Sequence, residues 1–79
     1  MKRFGLFNIV KNEWVTTWCT GTFEGWVEHY LDYGDDQIFM MSTEKDALRV
    51  LSGRSGYLTY AEMDLEISRG EIIVKEINL

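Results

Sequence analysis

Thr22-Phe23-Glu24-Gly25-Trp26-Val27-Glu28-His29-Tyr30-Leu31-Asp32-Tyr33 is the stretch on which the fold turns, because it reads two ways. As a helix, Phe23, Trp26, Val27, Tyr30 and Leu31 fall at i, i+3, i+4, i+7 and i+8, with Thr22 as N-cap and Gly34 as the C′ glycine. Glu24, Glu28 and Asp32 then form one acidic stripe. As a strand, Phe23, Val27 and Leu31 alternate adequately, but Gly25 and His29 interrupt the face. The helical spacing has the better match and predicts a helix over 22–33, although Gly25 costs it about 1 kcal/mol relative to alanine.

Working outward, Arg3 to Val10 and Glu13 to Cys19 read as the strands of a β-hairpin, rich in Phe, Ile, Val, Thr and Trp, with Lys11-Asn12 at the turn. Gln37 to Met41 reads as a short apolar strand. Ser42 or Thr43 caps the clearest helix, whose buried face is Ala47, Leu48, Val50 and Leu51 and which ends at Gly53. Ser52 to Gly56 is a loop. From Thr59 two readings stay open: a helix with a Thr59–Glu62 capping box, Met63 and Ile67 as i, i+4 partners and Gly70 at C′, or a strand with Ala61, Met63, Leu65 and Ile67 on one face. Glu71 to Ile77 is a final strand, apolar on both faces, which predicts a central place in the sheet. The expected architecture is a two-layer α+β domain, 1–79, with an antiparallel or mixed sheet of four to five strands and one to three helices.

Charge is polarised along the chain. From Asn12 through Glu44 there is no lysine or arginine, but there are seven carboxylates and seven aromatics, including all three tryptophans. The segment carries −7, and the remainder, with eight bases and six acids, carries +2. On a helix, Glu24–Glu28 and Glu28–Asp32 are like-charge i, i+4 pairs costing about 0.2–0.5 kcal/mol each. Asp32 also sits at the end that the macrodipole makes unfavourable for an anion. Stripe acids would recur every ~6 Å, comparable to the phosphate spacing along a nucleic-acid strand. The plain alternative is a solvated face that aids solubility. The functional one is a surface shaped for a basic partner.

Composition excludes several classes. Seventy-nine residues with 46% apolar and 27% charged content suit one small globular core. A single cysteine, Cys19, allows no internal disulfide, which favours a reducing, cytoplasmic compartment. Lys2-Arg3 before a short apolar run resembles a signal peptide faintly, but Asn8 breaks the run and no small-residue cleavage site follows. No run reaches the ~18–20 apolar residues of a membrane span. Net charge −5 disfavours direct binding of nucleic acid or anionic lipid.

Few motifs carry chemistry. Tyr33-Gly34-Asp35-Asp36 resembles the metal-binding turn of reverse transcriptases and viral RNA polymerases, where paired carboxylates hold magnesium. The match covers four residues, lacks the other acids, and also fits an ordinary turn. A metal-dependent hydrolase at Asp35 and Asp36 is therefore a minor alternative. Cys19 and His29 lack the clustered spacing of a zinc site. A Cys–His nucleophilic pair has no third orienting residue, so Cys19 reads as a small buried apolar residue and His29 as lying on the polar side. Core packing is the stronger reading for Trp14 or Trp18, and Trp26 reads as the tryptophan most open to solvent.

In size, acidity, low cysteine content and architecture the chain resembles the small orphan proteins of bacteriophages and other mobile elements, among them the anti-CRISPR proteins. The likeness is one of type, spans the whole chain and carries no residue roles. It implies an inhibitor that blocks a basic, nucleic-acid-binding surface of a host defence protein or ribonucleoprotein complex in the host cytoplasm. Glu24, Glu28, Asp32, Asp35 and Asp36 would pair with Lys or Arg, and Trp26, Tyr30 and Tyr33 would be anchors. No enzymatic activity, cofactor, metal, membrane or direct nucleic-acid ligand is expected. The alternative is a structural accessory subunit that forms a homodimer through an exposed strand or tryptophan face.

Overall fold

A computed structural model describes residues 1–21, 25 and 27–79. The chain is an α+β domain of two layers. Its described elements are β1 (Lys2–Asn8), β2 (Glu13–Trp14), β3 (Thr16–Gly21), β4 (Val27–Asp32), α1 (Glu44–Leu51), α2 (Ala61–Ser68) and β5 (Ile72–Asn78). The strands form two antiparallel sheets, β2-β1-β5 and β3-β4.

Val15 is the hinge between them. The expected hairpin pairs only Phe7 with Trp14 and Asn8 with Glu13 before the chain leaves the first sheet. The Val15 N–H still bonds the Leu6 carbonyl at 2.8 Å, while its carbonyl accepts from the Phe39 N–H at 3.0 Å. The Val15 side chain is fully buried. Further along β1, Phe4 exchanges two 2.8 Å backbone bonds with Met41, which takes the place a longer second strand would occupy. Gly5 makes this crowding tolerable, because a Cβ there would lie 3.0 Å from the Trp14 ring and 2.9 Å from Ile77 Cδ1. The apolar run 37–41 accordingly contributes single bridges at Ile38 and Met41 rather than a strand.

The stretch expected to be helical is corrected: Val27–Asp32 is a strand, paired with β3 from Thr16↔Asp32 to Gly21↔Val27. Gly34, the expected C′ glycine, is in a bend with φ 83°. The expected N-cap Thr22, together with Phe23, Glu24 and Trp26, lies outside the described residues.

Local signals set both helices. Thr43 caps α1 through a 3.2 Å bond from the Asp46 N–H to its hydroxyl, and Gly53 follows the helix at φ 77°. The open segment after Thr59 is helix α2, and Gly70 follows its C-cap Arg69 at φ 73°. The expected Thr59–Glu62 capping box does not form; the Thr59 hydroxyl instead donates to the Asp64 carboxylate.

α1 packs against β1 and β5. The core joins Leu6, Val15, Leu31, Phe39, Ala47, Val50, Met63 and Ile72. β5 is an edge strand, not the central one expected. Its two apolar faces have separate causes. Ile72 and Val74 face the core, while Ile73 and Ile77 lie on the sheet's other face with Phe7 and Trp14.

Candidate interaction face

The β3–β4 ribbon places its even-numbered residues on one face: Thr16, Trp18 and Thr20 opposite Asp32, Tyr30 and Glu28. Trp18 and Tyr30 stack nearly parallel, with ring centroids 4.3 Å apart and planes 12° apart. Trp18 is 39% exposed, so its expected place in the core is corrected. A bulky cross-strand partner satisfies the indole without burial. The Tyr30 hydroxyl donates to the Glu28 carboxylate at 2.5 Å, and this bond, with some desolvation, pushes the phenol's pKa above its ordinary 10.0.

A cleft of about 260 Å³ opens beside this stack, walled by Trp18, Tyr30, Leu58 and Tyr60, with Asp32 and Thr59 on its lining. Leu58 closes one side by bonding the outer edge of β4: its N–H donates to His29 and its carbonyl accepts from Leu31, both at 2.9 Å. Burial raises the Tyr60 phenol pKa, and the nearby Asp32 charge raises it further. One Asp32 oxygen accepts the Tyr33 N–H at 2.8 Å.

The other expected site residues divide. Asp36 is exposed. Asp35 is half-buried. Its Oδ2 accepts from the Thr16 hydroxyl at 2.8 Å, and its N–H donates back to that hydroxyl at 3.2 Å. Tyr33 turns inward, its hydroxyl bonded to Asn8 and Glu66, which leaves, among the described residues, the exposed Trp18 and half-buried Tyr30 as the stacked pair on this face. Glu24 and Trp26 lie outside the described residues.

Among the described residues, none of Glu28, Asp32, Asp35 or Asp36 forms an ion pair. The ribbon strands contain no lysine or arginine, while Lys2, Arg3 and Lys75 belong to the first sheet. Polarity along the sequence has thus become a difference between the two sheets. The ~6 Å stripe is lost, because Glu28 and Asp32 in a strand lie about 13 Å apart at ~3.3 Å per residue.

On the ribbon's opposite face, Cys19 and His29 are direct cross-strand neighbours beside a smaller cleft of about 150 Å³ shared with Gln37 and Tyr57. Cys19 is exposed, which corrects the expected burial. Among the described residues no three His, Cys, Asp or Glu side chains converge as metal ligands would. No helix is long and apolar enough to cross a membrane among the described residues.

Sequence reasoning missed one group altogether. Glu66 is buried, 4% exposed, and bonded to Tyr33 and to Lys11 Nζ at 2.9 Å. Asn8 and Lys11 share a turn, but Tyr33 and Glu66 are too far from it and from each other in sequence for any spacing rule to join them. No protein-family model, curated protein or solved structure matches the chain.

Proposed function

We propose that the chain is a binding protein that docks its β3–β4 face onto a basic protein surface, acting as a phage-type inhibitor of the anti-CRISPR kind. Its target is a nucleic-acid-binding surface of a host defence complex in the host cytoplasm. One observation carries the reading: Glu28, Asp32 and Asp36 have no ion-pair partner on the described molecule, and Glu28 and Asp32 flank a pre-stacked pair of an exposed Trp18 and a half-buried Tyr30. Unneutralised carboxylates steer a basic partner, and rigid aromatics supply contact area at low entropic cost.

The cleft gives the face a specific acceptor. A lysine or arginine from the partner would lay its stem along Leu58 and its cation against the aromatic walls and Asp32. With the helical stripe gone, imitation of a phosphate row has lost its spacing argument. Obstruction of a basic surface is the mechanism proposed.

The test is capture from bacterial lysate at low and high salt, comparing wild type with Asp32→Lys. Support is one nucleic-acid-handling complex that wild type retains, that added nucleic acid displaces, and that salt or Asp32→Lys abolishes. Retention indifferent to salt and to charge reversal would refute the reading.

A further inference from the structure

The backbone parity of β5 leaves one side of it without partners. Ile9 N–H bonds the Glu71 carbonyl at 2.9 Å and Leu79 N–H bonds the Met1 carbonyl at 2.8 Å, so the odd-numbered residues of β5 face β1. The N–H and C=O groups of Ile72, Val74, Glu76 and Asn78 point the other way, and among the described residues none has a backbone partner there. Other edges are shorter or partly taken. β2 has two residues, β3 is bonded at Thr17 by Gln37, and β4 is bonded at His29 and Leu31 by Leu58.

A free edge is normally guarded by a charge, a proline or a bulge. The chain has no proline, and the β1–β5 register runs unbroken from Lys2↔Asn78 to Asn8↔Ile72. The two charges on β5 are exposed, but both turn back over β1. The Lys75 ammonium lies over the Phe7 ring at 4.3 Å and the Trp14 ring at 5.6 Å, reaching across Gly5, its side-chain-free cross-strand neighbour. Glu76 is held by Lys2 at 3.2 Å.

We propose that this edge pairs antiparallel with the same edge of a second copy of the chain, joining two three-stranded sheets into one of six. The strand is self-complementary, and of the registers that oppose no like charges one pairs the most strand residues. A two-fold axis at Val74 sets Val74 opposite Val74 of the other copy, Ile73 opposite Lys75, and Ile72 opposite Glu76, with no like charges opposed. Axes at Lys75 or Glu76 would oppose lysine to lysine or glutamate to glutamate. The β3–β4 ribbon lies in the other sheet, so the dimer keeps both copies of the acidic face. This inference does not depend on what that face binds.

The test is light scattering on the whole chain as concentration rises, with amide exchange followed by NMR. The expected result is a mass of twice 9.3 kDa, with the Val74 and Glu76 amides slowing at least tenfold on dimerisation. Glu76→Pro removes an outward N–H that β1 does not use, and should weaken the dimer at least tenfold with an unchanged circular dichroism spectrum. The wild-type exchange data decide the matter should that variant misfold. A 9.3 kDa mass at the highest concentration overturns the proposal. So does a dimer whose Val74 and Glu76 amides are unprotected, or a folded Glu76→Pro that dimerises as wild type does.

Discussion

The Tyr33 hydroxyl donates a 2.7 Å hydrogen bond to the buried Glu66 carboxylate, and through it the end of the acidic ribbon is tied to helix α2. The same hydroxyl accepts from Asn8 Nδ2 at 3.0 Å, while Asn8 Oδ1 accepts the Val10 and Lys11 N–H groups at 2.9 Å and so shapes the turn. Lys11 closes the circuit, 2.9 Å from Glu66 and 4.3 Å above the Tyr33 ring. β1, β4 and α2 are thereby joined by polar bonds, each buried group partnered as its desolvation requires.

Removing one member should therefore cost more than a surface bond. Tyr33→Phe keeps the ring and orphans Asn8 Nδ2 and one Glu66 oxygen. The expected loss is about 1–3 kcal/mol, measured by urea unfolding with an unchanged m-value. A loss near zero would mean that water replaces the hydroxyl.

The same network sets an acid limit. Burial pushes the Glu66 pKa up, but the hydrogen bonds from Lys11 and Tyr33, with the Lys11 charge, outweigh it and hold the carboxyl below its ordinary 4.5. A depressed folded pKa contributes stability that is present above the unfolded value and is lost as pH falls through the folded one. Stability should thus decline as pH drops below about 4.5, and Glu66→Gln should flatten part of that decline. Parallel acid limbs in wild type and variant would exclude Glu66 as a contributor.

Gly5 is a steric prediction. Alanine there sets a Cβ 3.0 Å from the Trp14 ring and 3.1 Å from the Phe39 carbonyl, neither of which moves freely. Overpacking of this kind costs about 1–3 kcal/mol, and a thermal melt should report it. The Trp14 fluorescence environment should change with it, which a mere change in strand propensity would not produce.

What was legible in the sequence was what local chemistry fixes. Thr43, Gly53 and Gly70 mark helix ends by groups within one turn of the chain, and the α+β class followed. Val27–Asp32 was not legible, because its partner is elsewhere: Tyr30 is apolar-facing only through Trp18, twelve residues away. An aromatic-rich ribbon with apolar residues on both faces matches a 3.6 period as well as a period of two. The strand also brings Glu28 and Tyr30 together, two neighbours that a helix would have separated. Val15, where the chain changes sheets, carries no mark that distinguishes it from any strand valine.

The thiol offers a direct check on the ribbon's second face. An exposed Cys19 should react with a neutral thiol reagent within about tenfold of the rate of the unfolded chain. Protection by several orders of magnitude would bury Cys19 and contradict the strand geometry. Modification should leave stability nearly unchanged.

The ribbon's docking role separates into charge and contact. Reversing the exposed Asp36 to lysine should act on association, slowing it several-fold, because opposite charges steer encounter; reversing Asp32, which lines the cleft, should speed dissociation as well. Salt should mimic the Asp36 variant, since the field is screened beyond about 8 Å at physiological ionic strength. Asp35 is the wrong residue to reverse: its carboxylate is bonded to Thr16, so its loss would disturb the fold as well as the field. Trp18→Ala and Tyr30→Ala should act on dissociation instead, speeding it about tenfold or more if the stack is a buried anchor. Surface plasmon resonance on a captured partner resolves the two rates. An Asp36 reversal that altered only dissociation would place that carboxylate inside the contact rather than around it. Aromatic truncations without effect on either rate would move the docking face off the β3–β4 ribbon.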